Sequence, residues 1–243
     1  MWPKITRYYS PNFKVPKRSK NKIKFIIIHY TGMRKELLAI NRLCNPNSEV
    51  SAHYFIKKDG TIINFVPDLY EAWHAGKSSW KKVKSLNKYS IGIEIQNSGH
   101  DNIYENYSLK QIESLKKILK YLIKFYKINV KNVLGHSDIA PLRKKDPGEK
   151  FPWDKLAKLR LVQWHKLDQK KLKKFRSIKL NQHEENKFIK NLNQIGYTPL
   201  KPKNFDSEKR LVIKAFQSRF RQNLINGSSD KECLLISINL LKS

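Results

Sequence analysis

Two histidines and an aspartate carry the first hint of chemistry. His29 follows the apolar run Phe25-Ile26-Ile27-Ile28, and His136 opens the polar stretch His136-Ser137-Asp138, which leads on to Asp146 ahead of Pro147-Gly148. An imidazole at the end of a buried strand, joined by a second imidazole and a carboxylate from a later loop, is a donor set that suits a catalytic zinc ion with one position left for water. Each residue alone has a plainer reading. A histidine at a strand end is commonly a hydrogen-bonded core residue, and an aspartate before Pro-Gly is commonly a turn residue. The sequence separation of 107 between the two histidines decides nothing by itself.

The elements that must position these groups follow from hydrophobic periodicity. Residues 1–22 read as an extended, basic, proline-punctuated arm lying against the domain. The continuous apolar run over 23–30 predicts a strand buried on both faces. Residues 34–43 predict a short helix with Leu37, Leu38, Ile40 and Leu43 inward, stopped at Asn45-Pro46. Ala52 to Ile56 and Thr61 to Val66, joined through Asp59-Gly60, predict a β-hairpin. Tyr89 to Gln96 alternates strictly, so Ile91, Ile93 and Ile95 face one side while Gly92, Glu94 and Gln96 face the other. That alternation puts a carboxylate, Glu94, on an otherwise uncharged strand face.

Ser108-x-x-Gln111 is a capping-box signature, and the leucines and isoleucines from Leu109 to Ile123 recur at helical spacing behind it. Val133-Leu134 is a short apolar piece that delivers His136, and 137–152 reads as a Pro/Gly-punctuated loop. Strands interleaved with helices in this order predict an α/β fold with a mixed central β-sheet flanked by helices. A Lys- and Gln-rich connecting segment covers 161–184, and helical stretches at about 185–195, 207–224 and 230–241 predict a small three-helix domain over 185–243. The catalytic unit is then 23–160.

Composition narrows the possible partners. The chain has 243 residues, 40% of them hydrophobic, which is a globular composition. Its formal net charge is +30, yet only ten of the 50 basic residues are Arg, and the lysines are scattered through every segment. Arg is the residue that forks onto phosphates and reads bases, so a specific nucleic-acid partner is not expected. Cys44 and Cys233 lie far apart without C-x-x-C spacing, so two reduced thiols are expected. The N-terminus shows no apolar core of signal-peptide length, and no stretch of about 20 apolar residues occurs. A cytoplasmic protein without a membrane span or obligate protein partner is the expectation.

Residues 23–153 resemble the zinc-dependent N-acetylmuramoyl-L-alanine amidases, whose relatives include peptidoglycan-recognition proteins. The matching pieces are Ile28-His29-Tyr30-Thr31-Gly32, Ser51-Ala52-His53-Tyr54, Asp59-Gly60-Thr61-Ile62, Ala72-Trp73-His74-Ala75-Gly76, Ser90-Ile91-Gly92-Ile93-Glu94, and Gly135 to Pro141 running into Arg143 to Gly148. The resemblance implies that His29, His136 and Asp146 hold one Zn2+ per chain. It implies Glu94 as general base and Lys144 as the cation that helps hold the oxyanion. It makes His53 a supporting residue and Trp73 and His74 part of the substrate cleft. Arg143 could use its fork on a carboxylate of the peptide.

The implied reaction is zinc-dependent hydrolysis of the amide between N-acetylmuramic acid, including 1,6-anhydro forms, and L-alanine of peptidoglycan stem peptides. The implied partners are peptidoglycan fragments, that is, muropeptides and anhydro-muropeptides. The alternative is a non-catalytic recognition module, and the joint presence of His29, His136, Asp146 and Glu94 speaks against it. The C-terminal stretches are similar to the small three-helix peptidoglycan-binding domain, with Cys233 where that pattern has Thr. Every residue assigned to chemistry lies before Phe151, so hydrolysis of small substrates is expected to survive loss of residues from about 180 onward.

Overall fold

A computed structural model describes residues 5–199 and 205–242. Its six-stranded sheet runs in the order Ile5–Arg7, Ile62–Asn64, Tyr54–Ile56, Ser90–Ile95, Phe25–Tyr30, Val133–Gly135. The last four strands are mutually parallel, and Ile62–Asn64 runs antiparallel to Tyr54–Ile56. This is the expected mixed sheet. The N-terminal arm contributes its edge strand, Ile5–Arg7, and a second short pairing, Phe13–Lys14 against Glu71–Ala72.

The alternation of the two central strands sorts their side chains into two environments. Ile26, Ile28, Ile91, Ile93 and Ile95 share one apolar cluster with Leu115, Ile118, Leu119 and Leu122 of the long helix Leu109–Tyr126. That helix starts at Ser108 with both halves of its capping box formed, as its sequence predicts. Phe25, Ile27 and Leu134 point to the opposite face, where they join Phe188, Leu192, Val212, Phe216 and Phe220. The helices Gln182–Ile195, Phe205–Phe220 and Lys231–Lys242 therefore roof the second face of the sheet. Leu172, from the segment expected to be a connector, is buried in the same cluster.

The rest of that face is covered by the helix Glu36–Cys44, through Ala39, Ile40 and Leu43 over Phe55 and Ile63. Leu37 and Leu38, expected inward, are 66% and 51% exposed. The helix begins at Glu36, and positions 39, 40 and 43 make a complete inward stripe that leaves 37 and 38 on its outer side. Between this helix and the C-terminal roof the second face stays open at the carboxyl ends of the parallel strands. Open α/β sheets keep their ligand crevice at that edge.

Candidate metal and catalytic site

Three strand ends deliver the functional groups. His29 and Glu94 are register partners on adjacent parallel strands, and both project to the second face near its open edge. His136 begins the short helix His136–Ile139 directly after Val133–Gly135, where only a loop was expected. Asp146 is brought back by a loop whose carbonyl accepts from Ser137 N at 2.8 Å. The carbonyl of Pro147, the next residue, accepts from Tyr104 Oη and Tyr107 Oη, both at 2.7 Å, which anchors the loop beyond the carboxylate.

The expected donors meet. His29 Nδ1 lies 2.9 Å from His136 Nδ1 and 3.0 Å from Asp146 Oδ2, and His136 Nδ1 lies 3.0 Å from the same oxygen. All three residues are buried and form a group that could hold a metal ion. Donors around a tetrahedral zinc with bonds of about 2.0–2.1 Å stand about 3.3 Å apart, so this near-equilateral triangle fits such an ion with little adjustment. Burial, then the charge of His136, pushes the His29 pKa down to about 4, which leaves its imidazole neutral as a ligand must be. Burial alone would raise the Asp146 carboxyl, but the two imidazoles outweigh it and hold it well below the usual carboxylate range.

Glu94 presents a different balance. Burial and the neighbouring Asp146 push its pKa up to about 8, and its Oε2 is buried with no hydrogen-bond partner among the described residues. A buried carboxylate oxygen without a donor is costly in a folded protein and is a mark of function. The cleft in front of it measures about 490 Å³ and is lined by His29, Trp73, Glu94, His136, Lys144 and Asp146, among others. Trp73 Nε1 is likewise buried and unpartnered. Lys144 reaches the rim of this cleft and of the neighbouring groove toward Lys214.

Two residues expected at the substrate are engaged by the protein itself. Both ring nitrogens of His74 have internal partners, His29 Nε2 at 3.0 Å and Ser90 Oγ at 3.1 Å. Arg143 donates through Nε and Nη2 to the carbonyls of Ala75 and Lys77, so its fork braces a loop and leaves Nη1 for any outside carboxylate. The backbone of the 74–77 segment runs beside the imidazoles, and its carbonyls face Arg143, a proximity that side-chain type alone does not reveal.

Sequence reasoning reads Asp138 as either a supporting acceptor or a turn residue and misses the partners that fix it at the His136 turn. Asp138 Oδ2 accepts from Gly135 N at 2.8 Å, Tyr197 Oη donates to Asp138 Oδ1 at 2.8 Å, and Arg219 pairs with the same carboxylate. Arg219 also donates to Val133 O at 3.0 Å and lies 4.3 Å from the Trp153 ring centroid. A signal for it was present in the scarcity of Arg. In a Lys-rich chain, Arg18, Arg143, Arg176, Arg219 and Arg221 all make multiple directed bonds to carbonyls or side-chain oxygens, a task suited to guanidinium and not to ammonium.

A family profile described as N-acetylmuramoyl-L-alanine amidase matches residues 19–149. The N-acetylmuramoyl-L-alanine amidase AmiD of Escherichia coli K12 is 33% identical over 235 residues, covering 91% of this chain and 83% of that protein. The 1,6-anhydro-N-acetylmuramyl-L-alanine amidase AmpD of the same strain is 43% identical over 104 residues, 43% of this chain and 55% of its own length. Among solved structures, the complex of E. coli AmiD with the substrate anhydro-N-acetylmuramic acid-L-Ala-D-γ-Glu-L-Lys superposes with a TM-score of 0.82. Identity there is 32%, with 94% of this chain and 92% of that one covered.

Proposed function

Because the chain belongs to the N-acetylmuramoyl-L-alanine amidase family, we propose that it hydrolyses the amide between N-acetylmuramic acid and L-alanine in muropeptides, 1,6-anhydro forms included. The observation that carries this is the buried triangle of His29 Nδ1, His136 Nδ1 and Asp146 Oδ2, with the unpartnered Glu94 carboxylate on the neighbouring strand. These three residues are the proposed ligands of one zinc per chain. When bound, zinc supplies a Lewis acid for the scissile carbonyl and makes water acidic enough to attack it.

The chain's own residues do the rest in this proposal. Glu94 takes the proton from the attacking water and returns it to the alanine nitrogen as the C–N bond breaks. The Lys144 ammonium neutralises the oxyanion formed from the carbonyl. Trp73 Nε1 offers a buried donor to the substrate, and the lysine-lined rim suits an acidic stem peptide. Among the described residues no helix is long and apolar enough to cross a membrane. Small soluble muropeptides as substrates, and a cytoplasmic site of action in wall recycling, belong to the same proposal.

Defined muropeptides with and without the anhydro ring test it. Release of a stem peptide with a free L-alanine amine is expected, along with about one zinc per chain, and chelation should abolish turnover while leaving most of the fold. Full amidase activity in metal-free protein would reject the metal assignment. Binding of muropeptides without cleavage would favour the recognition-module alternative.

A further inference from the structure

We propose that the segment His74-Ala75, fixed by Asn87 and Ser90, is the positioning element of the metal centre: it takes the Nε2 hydrogens of both histidine ligands and so aims both Nδ1 lone pairs at one point. This rests on the reading of His29, His136 and Asp146 as zinc ligands and goes beyond it by assigning the groups that set their tautomers.

The chain of hydrogens can be followed atom by atom. The Ser90 hydroxyl lies 2.7 Å from Leu86 O, and a carbonyl cannot donate, so the hydroxyl hydrogen is on that bond. Ser90 Oγ is then an acceptor for His74, whose Nε2 stands 3.1 Å away. The ring partners of His74 are His29, Ser90 and, in a T-shaped contact, His53, none of them a carboxylate, so the ring is neutral with its hydrogen on Nε2. Its Nδ1 accordingly accepts, and the donor 3.0 Å away is His29 Nε2. That leaves His29 with its lone pair on Nδ1, the atom facing His136 and Asp146.

The second ligand is held in the same way by the next residue. His136 Nε2 lies 3.2 Å from Ala75 O, which can only accept. The nearby Arg143 Nη2 gives its two hydrogens to Ala75 O and Lys77 O, so it has none for the imidazole. His136 thus donates through Nε2 and turns its own Nδ1 lone pair to the triangle. Two adjacent residues fix two ligands from strands and loops otherwise far apart in the chain.

The segment itself is held in place. Asn87 Oδ1 accepts from His74 N at 3.2 Å and from Ala75 N at 2.7 Å. Gly92, two residues before Glu94 on the same strand, leaves the space the His74 ring fills, since a Cβ there would lie 2.4 to 2.6 Å from three ring atoms. Ligand imidazoles in general give their second N–H to an acceptor of this kind, and removing such an acceptor costs about 10- to 100-fold in metal affinity.

The test is zinc affinity of the full chain by competition with a chromogenic chelator, alongside long-range 1H–15N spectra of the zinc-loaded parent. His74→Phe should weaken zinc about 10- to 100-fold. His74→Asn, which returns an acceptor near the Nδ1 position, should recover most of that loss, and Ser90→Ala should show a smaller loss of the same sign. The spectra should place hydrogen on Nε2 of His29, His74 and His136. Unchanged affinity in His74→Phe, or hydrogen on His74 Nδ1 in the parent, overturns the proposal, and the His74 tautomer in the parent spectra decides the matter even if the variant does not fold. A parent that binds no zinc would instead remove the metal reading on which the proposal stands.

Discussion

The two faces of the central sheet differ in what covers them. One face is closed by a single amphipathic helix, Leu109–Tyr126, over a cluster of isoleucines and leucines. The other is apolar through Phe25, Ile27 and Leu134 on one side and Phe55 and Ile63 on the other, and carries His29 and Glu94 toward the carboxyl ends of the two central strands. Its cover comes in separate pieces, Glu36–Cys44, the segment carrying His74, Ala75, Trp80 and Leu86, and the C-terminal helices, and the cleft opens beside Ala39, Leu43, Trp73 and the Arg143-to-Asp146 loop. Strand alternation makes this division possible. Residues 25–29 look like one apolar run ending in a histidine, yet every second one belongs to a face with a different purpose. The lesson is that the first face is complete within the chain up to about residue 160, whereas the second depends on helices beyond 180.

The largest expected effect removes that dependence. The expectation that residues from about 180 onward are dispensable for hydrolysis meets a structure in which Phe188, Leu192, Phe216 and Phe220 bury the sheet itself. A truncation at 180 should therefore lose both its cooperative unfolding transition and its turnover of small muropeptides. Calorimetry and product analysis would show it, and a folded, active fragment would break the comparison. Next in size is Arg219→Met, which strands the buried Asp138 carboxylate next to the His136 turn. Leaving one partner of a buried pair alone costs about 3–5 kcal/mol, measurable by urea unfolding. Zinc affinity should fall with it, because Asp138 holds Gly135, the residue before the ligand.

What was legible in the sequence follows the same division. The helix over the first face announced itself by its capping box and spacing, and Glu94 by alternation, because both signals are local. The triangle of His29, His136 and Asp146 was legible only through a family resemblance, since spacing across 107 residues has no period to read. The contribution of His74 as a partner of His29, the double brace from Arg143, and the reach of Arg219 and Tyr197 to Asp138 were not legible. Each depends on which backbone passes next to which side chain after folding, and no local pattern encodes that. The three C-terminal helices were placed to within a few residues, yet nothing in their own periodicity said that they shared a core with the sheet.

Chemistry at the open edge gives the next effects. Glu94→Gln should keep zinc and lower kcat about 100-fold or more, the usual scale of general-base catalysis. Lys144→Ala should lower kcat by a similar factor with little change in KM. The parent should also show a rise in activity with pH, because Glu94 works only when ionised and burial with Asp146 raises its pKa toward about 8. A bound cation favours the ionised form, so the limb should fall below pH 8. Glu94→Gln should lack it. Parent-like turnover in either variant would detach the polar edge from catalysis.

The smallest effect is a pH dependence of stability that belongs to the second face alone. His53 is fully buried there, with Nδ1 accepting from Gly92 N at 3.0 Å and Nε2 donating to Tyr70 O at 3.0 Å. Burial, then the charge of Arg18, pushes its pKa from 6.5 down to about 3. Below pH 6.5 the unfolded chain binds a proton at His53 that the folded chain refuses, so stability falls as pH drops from about 6.5 toward 3. One such proton sets a limiting slope of about 1.4 kcal/mol per pH unit. His29 and His74, buried with lowered pKa values of their own, add to the slope in the same direction, so the difference between the parent and His53→Gln, both metal-free, isolates His53. Urea midpoints measured across this range should decline for the parent and decline less steeply for His53→Gln. Equal slopes in the two proteins would show that His53 already carries a proton, or exchanges with solvent, in the folded state, and would weaken the claim that this face is sealed as tightly as the first.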